Sequence, residues 1–274
     1  MALAKGLLLY EAQDAEKNKL FIEWLISEAG RQGLNIEYMS YEAWLSTTEM
    51  HEKIAPIQFV INRTRDDVLA LNLELSGMRV FNNARVTKVG NHKLWGYHYA
   101  KEYHFPYMPV TLRHGLATVD PISKPVDGHG GKGIFVFDHS ECAKENWHAL
   151  SYAEKKKMMH QKKLDTLVGD LRCYVIGGEI IHCVLRKKSH QNLVTNYSQG
   201  AVIERYSIPE NLKKRIETFI TPLQIDYAGV DFLIDNEGRF FFNEIEDVVG
   251  SRMLSALGIN DTVPRFITHI KSKL

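Results

Sequence analysis

Residues 122–137 read ISKPVDGHGGKGIFVF, and the reading of this stretch decides the fold of the chain. Lys124 and Pro125 lead into Gly128, Gly130, Gly131 and Gly133, and the apolar run 134–137 follows. Glycines this dense let backbone N–H groups turn inward with no Cβ in the way, which is how a loop cradles phosphate oxygens. Gly128, Gly130 and Gly133 fit G-x-G-x-x-G, but a dinucleotide fingerprint opens a helix, and IFVF is β-prone. A Walker A loop carries Lys-Ser/Thr after its last glycine, where Ile134 stands instead. A kinase glycine loop also joins two strands, yet the chain has neither H-R-D nor D-F-G. Two readings remain. The stretch is either an ordinary glycine-rich hairpin or a hairpin tip that folds over a nucleotide, with Lys124 on the strand leading in.

Composition narrows the setting. The chain has 274 residues, 45% hydrophobic and 24% charged, with a formal net charge of +1. That is globular material, long enough for one large domain or two to three small ones. Near-neutral charge gives no footprint for nucleic acid or an anionic membrane. The apolar run Leu7-Leu8-Leu9 is too short for a signal segment, and no stretch reaches membrane-spanning length. Cys142, Cys173 and Cys183 lack metal-ligand spacing and cannot all pair, which suits a reducing cytoplasm. The twelve histidines are scattered.

The chain opens with alternating strands and helices. Residues 6–10 (GLLLY), 35–39, 58–62 (QFVIN) and 79–82 are β-like, separated by helical patterns over 14–33 and 66–77. This alternation predicts an open α/β domain over 1–86. Arg63 and Arg65 follow QFVIN, where such sheets bind ligands beyond their carboxyl strand ends; the other reading is solvated loop arginines. From residue 89 the pattern changes. Asn91-His92-Lys93 opens a helix, and a cation at that end is easier to understand if the same place receives a phosphate. Residues 143–159 read as a charged helix, followed by the hairpin strands 170–176 and 179–185, a helix over 211–223, and strands at 227–234 and 239–245.

The last hairpin carries a second cluster. Glu244 and Glu246 are two apart in a strand and so face one way, and Asp231 on the neighbouring strand can join them. Three carboxylates on one face repel unless a cation sits among them. Oxygen-only ligands with room for water and phosphate suit Mg²⁺; a solvated acidic face is the alternative.

Taken together, these pieces resemble the ATP-grasp superfamily, and within it the α-L-glutamate ligase type. The matching residues come in order: Asn91-His92-Lys93, Lys124-Pro125 with the glycines, Asp170-Leu171-Arg172, Gly229-Val230-Asp231 and Asn243-Glu244-Ile245-Glu246. The resemblance covers residues 85–250 well and the N-terminal part loosely. It implies an ATP-grasp fold: an α/β domain over 1–86, a central subdomain over 87–160 with the glycine loop, and a C-terminal subdomain over 161–274 with the metal site, ATP lying between the last two. It implies that Lys93, Lys124 and the glycines contact phosphates, that Gln161 begins the adenine hinge, and that Asp170 faces the ribose. Asp231, Glu244 and Glu246 would hold one or two Mg²⁺ ions, with Mn²⁺ as a substitute. Arg172 and Arg186 would bind carboxylate or phosphoryl oxygens during catalysis, with Arg63 and Asn196 on the substrate side. The implied reaction joins a small-molecule or peptide carboxylate to an amine through an acyl phosphate. It calls for no nucleic acid and no membrane, and leaves room for a homo-oligomer.

Four positions depart from the family pattern. The hinge reads His160-Gln161-Lys162-Lys163 rather than Val-Gln-Glu-Phe, and Glu246 replaces the usual Asn. Val194 stands where an arginine is expected, and residues 247–251 lack a Ser-Pro-Gly turn. These departures keep other jobs open: a nucleotide-binding or regulatory protein with a degenerate substrate site, a D-amino-acid ligase, or a carbamoyl-phosphate-type carboxylate kinase.

Overall fold

Four parallel strands build the N-terminal sheet in the order β2-β1-β3-β4: Ala4–Tyr10 (β1), Leu34–Ser40 (β2), Phe59–Arg63 (β3) and Arg79–Phe81 (β4). The computed structural model describes residues 3–47, 55–111, 121–129, 133–136, 145, 147–164, 167–187 and 202–274. Continuous apolar runs form β1 and β3 because helices cover both faces of the sheet, so neither face needs polar residues. The helix Lys19–Arg31 ends against Gly33, which takes the left-handed conformation (φ 83) that such a stop requires. Asp66 caps the helix Asp67–Leu75 by accepting from the Leu69 amide at 2.9 Å.

The second sheet runs β5-β8-β6-β7, from Val110–Thr111 (β5), Pro121–Pro125 (β6), Phe135–Val136 (β7) and Met158–Lys162 (β8). Ile122 pairs with Val136 and Ser123 with Phe135, so the glycine stretch joins two antiparallel strands, as IFVF implies. The helical expectation for 143–159 fails at its end. Only Tyr152–Lys156 is an assigned helix among the described residues of that segment's second half, and Met158 and Met159 pair with Pro125 and Lys124 as strand. The Glu-Lys-Lys-Lys run carries helix propensity up to Lys157, but cross-strand pairing then decides the conformation. Strand β8 pairs through Lys162, across the boundary drawn between residues 160 and 161.

The third sheet is antiparallel, in the order β11-β10-β9-β12-β13: Leu167–Ile176 (β9), Glu179–Lys187 (β10), Val202–Arg205 (β11), Tyr227–Asp235 (β12) and Phe240–Glu246 (β13). The pleat separates its side chains by parity. Leu171, Cys173, Val175, Leu185, Val230, Phe232 and Ile245 form a buried cluster with Ile216 and Phe219 of the helix Glu210–Ile220. The opposite face carries Asp170, Arg172, Tyr174, Arg186, Gly229, Asp231, Glu244 and Glu246, each set against another by the register. Tyr174 and Val184, at the apolar end of that face, join a core shared with the N-terminal sheet and the helix Thr262–Ser272.

Candidate active site

Strand register gathers the charged residues. Asp231 lies opposite Arg172 on β9 and opposite Glu244 on β13, while Glu246 lies opposite Gly229. Arg172 Nε and Nη2 donate to the two Asp231 oxygens at 2.8 and 2.7 Å, a bidentate fork. Arg186 Nη2 donates to Asp231 Oδ2 at 2.6 Å and to Asp170 Oδ2 at 2.7 Å. The remaining Arg172 nitrogen, Nη1, pairs with Glu246 Oε2. Asp231 is 0% exposed. Burial disfavours its charged form, but the two guanidiniums outweigh burial and hold its carboxyl down at about 2. Asp170 goes the other way: burial lifts it to about 6, against the pull of Arg186.

Both lysines reach β13. Lys93 Nζ stands 3.2 Å from Glu244 Oε2 and donates to the Gly128 carbonyl, tying the start of the glycine hairpin to the carboxylate face. Burial opposes the charge on Glu244, but Lys93, Lys124 and Arg172 together outweigh it, so its carboxyl lies below the ordinary range. Lys124 Nζ donates to Tyr97 Oη at 3.1 Å and to Asn243 Oδ1 at 3.3 Å. The two lysines thus end on adjacent residues of one strand. Tyr97, one turn after Lys93 on the helix Lys93–Glu102, carried no sequence signal beyond that spacing. His129 on the hairpin is pushed down to about 4 by burial and by the charges of Arg65 and Lys93.

Other expected residues stand elsewhere. Gln161 is buried in β8 and donates to the Met108 carbonyl at 3.1 Å. Arg63 is not a solvated loop residue: it is 3% exposed. It ends β3, buried, with Nε donating to Tyr10 Oη at 3.0 Å and Nη2 to the Val249 carbonyl at 2.6 Å. The rings of Phe21, Tyr10 and Tyr227 surround its guanidinium at 5.2 to 5.7 Å. This aromatic setting explains how a charged side chain is kept inside. Gly130, Gly131, Asn196 and Val194 lie outside the described residues.

Residues 117–268 match the RimK-like ATP-grasp domain, more than half of the chain. The chain belongs to the RimK-like ATP-grasp family. The family places it among ATP-dependent ligases. Over 98% of this chain and 95% of the relative it is 26% identical to the Mycoplasma pneumoniae "Uncharacterized protein MG011 homolog". It is also 25% identical to human N-acetylaspartylglutamate synthase A, over 68% of this chain, and 24% identical to a probable alpha-L-glutamate ligase of Pasteurella multocida, over 56%. The chain spans about half the length of these two relatives, 50% and 48%. The fold resembles D-alanine–D-alanine ligase from Bacillus anthracis, solved with ATP, at a TM-score of 0.74 and 13% identity over 99% of this chain and 97% of that one. The ATP-grasp ligase PsnB, solved with a minimal precursor, gives 0.72 and 14% identity over 99% of both chains.

This RimK-like site fits a divalent ion at one place better than another. Among the described residues, no three His, Cys, Asp or Glu side chains form a ready ligand set. Both oxygens of Asp231 are already taken by guanidinium N–H groups. The side chains of Glu244 and Glu246 are 32% and 36% exposed, and each is paired with one protein cation. Two carboxylates about a third exposed on one face fit Mg²⁺, which keeps several waters and shares phosphate oxygens. Asp231 fits the role of a counter-ion behind them.

Gly229 makes this packing fit. A methyl group there would stand 3.0 Å from Val249 Cγ2 and 3.2 Å from Arg172 Cδ. Gly229→Ala is expected to displace the arginine fork and lower stability by about 1–3 kcal/mol, as overpacking does. Urea denaturation measures this. A midpoint equal to wild type would show that the fork has room to spare.

Proposed function

We propose that the protein is an ATP-dependent carboxylate–amine ligase working through an acyl phosphate and releasing ADP and phosphate. The observation that carries this reading is the convergence of Lys93 and Lys124 on adjacent positions of β13, at Glu244 and Asn243, with the glycine hairpin tied into the same place. Lys93 and Lys124 bind and orient the nucleotide phosphates. The hairpin covers them, with Gly128 and Gly133 described at its two ends and Gly130 and Gly131 between. Glu244 and Glu246 hold one or two Mg²⁺ ions, with Asp231 as counter-ion behind them. Mg²⁺ would neutralise phosphate charge during transfer to the acid. Arg172 and Arg186 keep positive charge beside the oxygens on which charge develops, and Gln161 and Asp170 border the adenosine side. Catalysis of this kind is positioning and charge neutralisation, so no protein nucleophile is required.

The substrates are a small-molecule or peptide acid and an amine, in the cytoplasm. Cys173 and Cys183 are free thiols there, and among the described residues no helix is long and apolar enough to cross a membrane. ADP release with hydroxylamine trapping of acyl phosphate, across a panel of carboxylic acids, tests the reading. Absence of ATP binding in the presence of Mg²⁺ would end it. Lys124→Ala is expected to lower turnover about a hundredfold or more, the scale of losing one well-placed charge donor, with the circular dichroism spectrum unchanged. Wild-type turnover would remove Lys124 from the site.

A second reading is a protein that binds ATP without turning it over. One observation favours it: every nitrogen of the Arg172 guanidinium is engaged by Asp231 or Glu246. Tight ATP binding with no ADP formed against any acceptor would select it.

A further inference from the structure

The backbone that leaves β13 after Glu246 is fastened from outside its own sheet. Asp247 is 1% exposed and, among the described residues, forms no ion pair within salt-bridge distance. Its oxygens accept from neutral amides instead: Asn82 Nδ2 reaches Oδ1 at 2.6 Å and Asn91 Nδ2 reaches Oδ2 at 3.1 Å. Asn82 is fixed in turn, donating to the Tyr227 carbonyl at 2.6 Å and accepting from the Asp226 and Tyr227 amides at 2.9 and 2.8 Å. Two residues beyond Asp247, the Val249 carbonyl accepts from Arg63 at 2.6 Å. Gly90 allows the helix Ala84–Asn91 to come this near; a Cβ there would stand 3.0 Å from Asp247 Cβ and 3.3 Å from the Ile245 carbonyl.

A buried carboxylate held mainly by neutral side chains, with Thr87 beside the two amides and only the field of Arg63 to favour its charge, is a poor way to gain stability, because neutral donors recover little of the hydration it loses. What the arrangement does supply is a fixed chain direction at the residue after Glu246. The usual Ser-Pro-Gly turn is missing from this segment, and the Asp247 cluster occupies its place. We propose that Asp247, held by Asn82 and Asn91, is a positioning residue that aims Glu246 at the divalent ion. This rests on the ligase reading, in which Glu246 is an ion ligand. Groups that orient metal ligands from behind typically change metal affinity ten- to a hundredfold when removed.

The test titrates Mn²⁺ in the presence of ADP, following free ion by electron paramagnetic resonance. Asp247→Asn is the direct variant. Asn91→Ala is the milder one, since it leaves the Asn82 bond in place. The control is Asn83→Ala, which removes the cap of the same helix (Asn83 Oδ1 to the Val86 amide, 2.9 Å) and never touches Asp247. Asn91→Ala is expected to raise the Mn²⁺ dissociation constant about tenfold. Asn83→Ala, at an equal or larger fall in melting temperature, is expected to leave it unchanged. Unchanged Mn²⁺ affinity in Asn91→Ala, or loss in both variants in step with stability, would overturn the inference and make the cluster structural. A wild-type protein that binds no Mn²⁺ with ADP would overturn the ligase reading, and this inference with it.

Discussion

An Asp231→Ala variant is expected to lose about 3–5 kcal/mol of stability, because two buried guanidiniums would lose the carboxylate they share and keep only Asp170 and Glu246. Asp231 accepts three charge-assisted hydrogen bonds from Arg172 and Arg186, and all three residues are buried. Globular proteins hold only about 5–15 kcal/mol in total, so this single change endangers folding. The pH dependence has a defined sign. The folded carboxyl is held at about 2, below an ordinary aspartate, so its contribution is complete above about 4 and disappears as pH falls through 2. Urea denaturation of wild type and variant at pH 7 and pH 3 measures both. A stability loss under about 1 kcal/mol at pH 7 would show that Asp170 and Glu246 suffice for the two arginines.

Glu244 stands directly opposite Asp231, and its removal is expected to have the reverse profile. Its side chain is about a third exposed and its ion pair is Lys93 at 3.2 Å, so Glu244→Ala should change stability by about 1 kcal/mol or less. Turnover, in contrast, is expected to fall about a thousandfold, since the ion would lose a ligand and Lys93 its orientation. Mn²⁺ binding with ADP should weaken in parallel. Turnover within a few-fold of wild type would take Glu244 out of the ion site. The two variants together separate an anchoring carboxylate from a reacting one on neighbouring strands.

Much of this was readable before the structure, for physical reasons. The shared face of Glu244 and Glu246 follows from a period of two, and a short hairpin turn fixed Asp231 beside them. Both strands of the glycine hairpin were legible because IFVF has no helical periodicity. What could not be read was long-range pairing. Arg172 and Asp231 are 59 residues apart, and nothing local says that the arginine fork closes on that carboxylate. The burial of Arg63 was illegible for a related reason: sequence shows a charge after an apolar run, whereas its burial depends on three aromatic rings, one of them Tyr227. Met158 and Met159 fall within the expected helix because both residues accept either conformation, and their strand partners decide between them.

The shared core that joins the N-terminal sheet to the end of the chain bears on how the protein is made. Tyr10, Leu25 and Phe59 lie in one apolar cluster with Val249, Met253, Phe266 and Ile270. Gln32 Nε2 donates to the Pro264 carbonyl at 3.0 Å, and Lys271 Nζ to the Gln32 carbonyl at 2.8 Å. During translation the parallel sheet leaves the ribosome long before the helix Thr262–Ser272 exists to cover it. The order of synthesis is therefore not the order of completion. The face of the sheet that this helix covers stays open until residues 262–272 have been made.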